Sequence, residues 1–314
     1  MTTTRTRIAQ DVTEGLWQSP PSLPARWFYD ERGSRLFDEI TRLPEYYPTR
    51  RETEILAENS AEIVALTGAT TVLELGSGTS TKTRLLLDAF TADNRPLTFV
   101  PLDVSEEVLT ESARSIAADY PSVTVRPVVA DFAEPFGVLP GDPGGRLVIF
   151  LGGTIGNFDD AERGAFLTRI RDALAPGDHF LLGADLIKPS SRLTAAYDDS
   201  AGVTAAFNRN LIEVLRHALD AEGLYVDDFE HVARWNPARH RVEMWLRAVR
   251  DVHVHFNALE RDWKLAAGAQ LLTEISVKFA LPELRAELDA HGLRPGRSWT
   301  DSADDYSLTL CVAT

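Results

Sequence analysis

A single cysteine, Cys311, stands in 314 residues, so an intramolecular disulfide and a cysteine-based metal cluster are both excluded. It lies in the apolar, strand-like run 308–313, which predicts a buried structural thiol rather than a nucleophile. No apolar run approaches the length that spans a bilayer. The opening residues, Met-Thr-Thr-Thr-Arg-Thr-Arg, lack the hydrophobic core of a secretory signal, so the expectation is a cytoplasmic protein with no membrane partner. Positive charge is also short. Lys and Arg number 32 against 47 Asp and Glu, a net charge of −15 that repels phosphate backbones and argues against a nucleic-acid partner. The seven histidines form no convincing ligand set: His253 and His255 share a strand face, but the plain reading leaves them solvated, and no metal is expected. A Ser-His-Asp arrangement with a recognisable nucleophile turn is absent, as are internal repeats and low-complexity segments. A monomer is the default expectation.

What is present is the composition of a globular chain, 44% hydrophobic and 25% charged, long enough for one large or two moderate domains. Strands are expected at 71–75, 97–102, 123–128, 146–151 and 179–186, and helices at 81–91, 105–118 and 159–175. That alternation predicts right-handed βαβ units and a mostly parallel α/β sheet. After Pro189 the rhythm changes to a long helical region, 190–221, and then to period-2 segments at 241–247 and 252–256, an insertion of α+β character. A helix at 281–291 and two closing strands return to the sheet.

The most informative stretch is Thr-Val-Leu-Glu-Leu followed by Gly76-Ser77-Gly78-Thr79-Ser80, a buried strand running into a glycine turn and then a helix. Glycines allow close approach of backbone to ligand, and a helix N-terminus offers free N–H groups. The third glycine of a dinucleotide fingerprint is replaced by Thr81, while Glu74 inside the strand completes E-x-G-x-G, which resembles motif I of class I S-adenosylmethionine (SAM) methyltransferases. Another nucleotide, or an ordinary strand–turn–helix crossing with no ligand, fits the same residues.

Further positions sit where an open α/β sheet binds ligands, at the carboxyl ends of its strands. Asp103 can take the ribose hydroxyls of a nucleoside, or serve only the start of the helix after it. Asp131 with Phe132 can bond and sandwich an adenine, or be a solvated acid beside a core aromatic. The run Leu147-Val-Ile-Phe-Leu-Gly152-Gly-Thr-Ile-Gly-Asn157 ends in a glycine-rich loop whose Asn157 can hold an amine, or merely cap a turn. Tyr29, Tyr46, Tyr47 and Tyr197 can line a small polar pocket or fill a core. In 273–279, Glu274, Ser276 and Lys278 share one strand face, which is either a solvated pair or the wall of a pocket.

Together these pieces resemble one family over nearly the whole chain, the histidine Nα-methyltransferases of ergothioneine biosynthesis. The resemblance is carried by Trp27-Phe-Tyr-Asp30, Ile40-Thr-Arg-Leu-Pro-Glu-Tyr-Tyr-Pro-Thr-Arg50, Leu73-Glu-Leu-Gly-Ser-Gly-Thr-Ser80 and Phe150-Leu-Gly-Gly-Thr-Ile-Gly-Asn157. Further on it is carried by 196–210, Val242-Glu-Met-Trp-Leu-Arg247 and Leu272-Thr-Glu-Ile-Ser-Val-Lys-Phe279. It implies a class I, Rossmann-like SAM-methyltransferase domain at 52–188 and 279–314, with a discontinuous α+β substrate-binding domain at 1–51 and 189–278. It also implies transfer of three methyl groups from SAM to the α-amine of L-histidine, giving the trimethylated betaine hercynine. By position, Tyr46 would bond one imidazole nitrogen, and Glu274 with Ser276 the other. Met244 would pack on the ring, and Asn157 and Tyr197 would grip the carboxylate. Tyr29 and the Gly152 backbone would face the amine. Gly76, Ser77, Gly78, Lys82, Asp103, Asp131 and Phe132 would contact SAM. Gly153 is a mild departure, since relatives can carry Ser there. The competing readings are a SAM-dependent enzyme acting on another amine and a non-catalytic SAM-binding regulator.

Overall fold

The computed structural model describes residues 4–92, 96–131 and 139–313. The chain divides into two compact units, Pro48–Ile187 with Lys278–Thr314 and Met1–Tyr47 with Lys188–Val277. Among the described residues no helix is long and apolar enough to cross a membrane.

The first unit is built on one eight-stranded sheet. Its strands are β1 (Thr71–Leu75), β2 (Leu97–Asp103), β3 (Val123–Val125), β4 (Val128–Val129), β5 (Arg146–Phe150), β6 (His179–Asp185), β7 (Leu293–Thr300) and β8 (Tyr306–Ala313). The order across the sheet is β7-β8-β6-β5-β1-β2-β3, with β4 also beside β2. β1 to β6 pair in parallel, and the closing hairpin joins β6 antiparallel through β8. Every residue of β1 and β5 is buried, as expected of parallel strands covered on both faces. The strand expected at 123–128 is interrupted at Pro127, which has no N–H for the ladder, so β3 stops and the short β4 resumes beyond it. Helix Pro48–Thr67 buries Glu52, Ile55, Leu56, Ser60, Ile63 and Thr67, a stripe at helical spacing. It shares a core with Val72, Leu86, Phe99, Leu147, Ile149, Leu181 and Leu308. Cys311 on β8 is fully buried, and burial pushes its thiol up to about 12, the inert state.

The second unit packs helices Thr4–Gly15, Glu31–Ile40, Ser190–Tyr197 and Val203–Ala218 with two antiparallel three-stranded sheets. In one of these, strand Arg241–Ala248 lies between Gln270–Val277 and Phe229–Asn236. The single helical region expected at 190–221 is two helices. Asp199 stops the chain between them by accepting the amides of Val203 at 3.0 Å and Thr204 at 2.7 Å, which starts the second helix afresh. The core of this unit includes Phe28, Phe207, Leu211, Phe229, Val242, Met244 and Leu246.

Candidate functional site

β1, β2, β4 and β5 run parallel, so their carboxyl ends share one edge of the sheet. There Gly76 and Gly78 adopt φ of +66° and +49°, the left-handed turn that glycine makes at least cost. The Gly78 amide donates to Asp103 Oδ2 at 2.9 Å and the Ser105 amide to Oδ1 at 3.0 Å. Asp103 therefore clamps the glycine loop and also serves the start of helix Glu106–Asp119. A carboxylate offers about four lone-pair directions, so capacity remains for a ligand. The buried Ser77 hydroxyl has no partner among the described residues. Val104, Val128 and Val129 stand 56%, 37% and 51% exposed beside Asp103 and its ladder neighbour. An orphaned hydroxyl, a carboxylate with spare lone pairs and bare apolar side chains fit a nucleoside such as that of SAM. Asp131 follows β4 at the same edge, half-buried. Phe132 lies outside the described residues.

Two buried glutamates organise this edge. Glu74 accepts from the Ser80 hydroxyl at 2.8 Å and from the Thr83 hydroxyl, stapling strand to loop to helix. Burial pushes its carboxyl up to about 7 against the pull of those two hydroxyls. Glu52, fully buried, receives the Lys82 ammonium, the Gly152 amide at 2.9 and 3.0 Å, and the Tyr306 hydroxyl at 2.9 Å. A Cβ on Gly183 would stand 2.2 Å from Glu52 Oε1, so β6 needs glycine where the carboxylate crosses it. With its N–H committed to Glu52, Gly152 has its carbonyl left to offer an amine. Sequence reasoning missed Glu52 because Arg50-Arg51-Glu52-Thr-Glu54 reads as a solvated face. The signal available was its helical spacing to Ile55, Leu56 and Ser60. Asn157 ends the short turn Thr154–Asn157, half-buried. The next helix is capped by Asp159 in a reciprocal box with Glu162, so Asn157 is not its cap.

In the second unit the tyrosines form a chain of edge-to-face rings. Tyr29 meets Phe37 at 5.5 Å between centroids, Phe37 meets Tyr46 at 6.1 Å, and Tyr46 meets Tyr197 at 6.4 Å. Tyr46 and Tyr197 are buried, whereas Tyr29 is 42% exposed. Tyr47 belongs elsewhere, its hydroxyl accepting from Lys188 Nζ at 3.0 Å. The Tyr197 hydroxyl donates to Ser276 Oγ at 2.8 Å. Glu274, half-buried, lies directly across the ladder from Met244, and Ser276 across from Val242, so all four share one face of the sheet. This unit thus gathers Tyr46, Tyr197, Met244, Glu274 and Ser276. Lys278, expected on the face of Glu274, is instead buried in the first unit against Asp185 at 2.7 Å, which removes the reading of a Glu274–Lys278 surface pair. His253 and His255 are exposed. Among the described residues no group of three or more His, Cys, Asp or Glu could hold a metal ion.

Residues 8–313 match the family described as "Histidine-specific methyltransferase, SAM-dependent". The chain belongs to this family. The histidine N-alpha-methyltransferase of Mycolicibacterium smegmatis is 51% identical over 305 residues, covering 97% of this chain and 94% of that protein. The ergothioneine biosynthesis protein 1 of Schizosaccharomyces pombe is 31% identical over 265 residues, 77% of this chain and 34% of that protein. The CcbJ methyltransferase of Streptomyces caelestis has the same fold, with a TM-score of 0.51 at 17% identity over 91% of this chain and 100% of its own. The eight-stranded sheet of this histidine-specific methyltransferase family member is accordingly that of a class I SAM methyltransferase, with the added antiparallel sheets described above.

Proposed function

We propose that this protein transfers methyl groups from SAM to the α-amine of L-histidine, three times in succession, to give hercynine for ergothioneine biosynthesis. Family membership and the names of its relatives support histidine and the ergothioneine pathway. The observation that carries the reading is the polar cluster of Tyr197, Ser276 and Glu274 beside the buried Met244. A carboxylate with a hydroxyl next to it accepts an imidazole N–H, most strongly from a charged ring, while a thioether packs on the ring face.

In this reading the first unit is the SAM domain and the second the substrate domain. Gly76, Ser77, Gly78, Lys82, Asp103 and Asp131 are assigned to SAM, and Phe132 keeps the adenine-sandwiching role that its sequence position gives it. Bound SAM supplies a methyl group on a sulfonium, already reactive, so the chain's task is chiefly positioning. Tyr46 and Glu274 hold the two imidazole nitrogens. Tyr197 and Asn157 are assigned to the carboxylate, Tyr197 turning to it the proton it otherwise gives Ser276, and the Gly152 carbonyl accepts an amine N–H. The attacking amine must be neutral, and desolvation favours proton loss by penalising the cation. Tyr29, more exposed than Tyr46 and Tyr197, passes that proton on through water.

Glu274→Ala is the test. It leaves an imidazole nitrogen unpaired, which costs roughly 2–4 kcal/mol, or about 30- to 1000-fold in kcat/KM for histidine. SAM affinity measured by calorimetry should be unchanged. A loss below about threefold removes the reason for naming histidine over other amines.

A further inference from the structure

The strand carrying Glu274 contains an extra residue. Leu272 pairs with Trp245 and Glu274 with Met244, two adjacent positions on the partner strand, so Thr273 bulges out of the ladder. The bulge changes the phase of the strand. Without it Leu272 and Glu274 would share a face; with it Leu272 goes with Trp245 and Glu274 with Met244.

Thr273 is fully buried and its hydroxyl is held. It lies 2.7 Å from Asn208 Oδ1 and 3.0 Å from the Met244 carbonyl. Asn208, also fully buried, stands on helix Val203–Ala218. Its amide nitrogen lies 3.0 Å from the Trp245 carbonyl and 2.8 Å from His231 Nδ1. A carbonyl can only accept, so the Trp245 contact fixes which way the Asn208 amide faces. Its second N–H then points at His231 Nδ1, which must be the unprotonated nitrogen. His231 Nε2, 2.8 Å from the Tyr197 carbonyl, carries the proton and donates it. An accepting Nδ1 means a neutral ring, and burial, with Arg209, pushes His231 below the usual imidazole range against the pull of the Tyr197 carbonyl, Asp198 and Asp199. One chain of hydrogen bonds thus runs from the bulge beside Glu274 to the last turn of the helix that ends at Tyr197.

We propose that Thr273, Asn208 and His231 form a positioning chain that sets Glu274 and Tyr197 at the spacing a histidine molecule requires. This rests on the histidine reading above. None of the three is a catalytic residue; each acts through Glu274 or Tyr197.

Thr273→Val removes the hydroxyl at nearly constant volume. We expect the KM for histidine to rise about tenfold, with kcat and the SAM dissociation constant within about twofold, and Thr273→Ser to restore a KM near that of the native protein. Because Thr273 acts through Glu274, adding Thr273→Val to Glu274→Ala should produce little further rise in KM. An unchanged KM in Thr273→Val, or an equal rise in both backgrounds, overturns the proposal. If Glu274→Ala itself leaves histidine turnover unchanged, the histidine reading falls and takes the proposal with it. A measurement on the native protein stands independently of how the variants fold. Nitrogen NMR should find His231 neutral with its proton on Nε2 at pH 6.5, and a proton on Nδ1 would refute the chain.

Discussion

Replacing Glu74 by glutamine should make the ligand-free protein less sensitive to pH. Glu74 is buried under the glycine loop, and burial raises its carboxyl from the usual 4.5 to about 7. A raised carboxyl means that the folded protein holds a proton the unfolded chain releases. The contribution of Glu74 to stability is therefore complete below pH 4.5 and is lost as pH climbs to about 7. The full loss is about 3.4 kcal/mol, of which about 2.5 kcal/mol falls between pH 5 and pH 8.5. Glutamine keeps an acceptor for the Ser80 and Thr83 hydroxyls and never ionises. Urea unfolding of both proteins at several pH values from 5 to 8.5 reads the difference directly. The glutamine variant should gain on the native protein by about 2–3 kcal/mol across that range. A difference constant to within about 0.5 kcal/mol would show that Glu74 is ionised at pH 5 in the folded state and would refute the reasoning.

Asp103→Ala should weaken SAM binding by about 1.5–3 kcal/mol, roughly 10- to 150-fold, in calorimetric titration. Unchanged affinity would confine Asp103 to holding the Gly78 and Ser105 amides. Glu52→Ala strands the Lys82 ammonium, the Gly152 amide and the Tyr306 hydroxyl together, so unfolding in urea should show a loss of about 3–5 kcal/mol. A loss below about 1 kcal/mol would mean that water replaces the carboxylate at no great cost.

The local pattern determined a good deal. The buried strand, glycine turn and helix of Val72–Leu87 open an alternation of strands and helices that runs to Asp185 and suits a parallel sheet, and two closing strands after 281–291 complete it. Gly76, Gly78 and Asp103 were legible because strand ends in such a sheet collect at one edge whatever the tertiary detail. The segments around Tyr46, Asn157 and Glu274 marked the family, which the match over residues 8–313 establishes.

Tertiary structure decided what long-range contacts decide. Glu52 is 100 residues from Gly152 and 254 from Tyr306, and nothing local distinguishes a carboxylate in a charged run from the one that holds both. Lys278 reads as the partner of Glu274 by strand alternation, yet it pairs with Asp185, 93 residues upstream in the chain, because the strand ends at Val277 and the chain enters the other unit. The bulge at Thr273 is likewise invisible to a period-2 reading, since an extra residue shows only against the register of Trp245 and Met244. Sequence periodicity reports which face a side chain takes within its own element. The partner it finds there depends on how distant elements pack, and that information is held in no single segment.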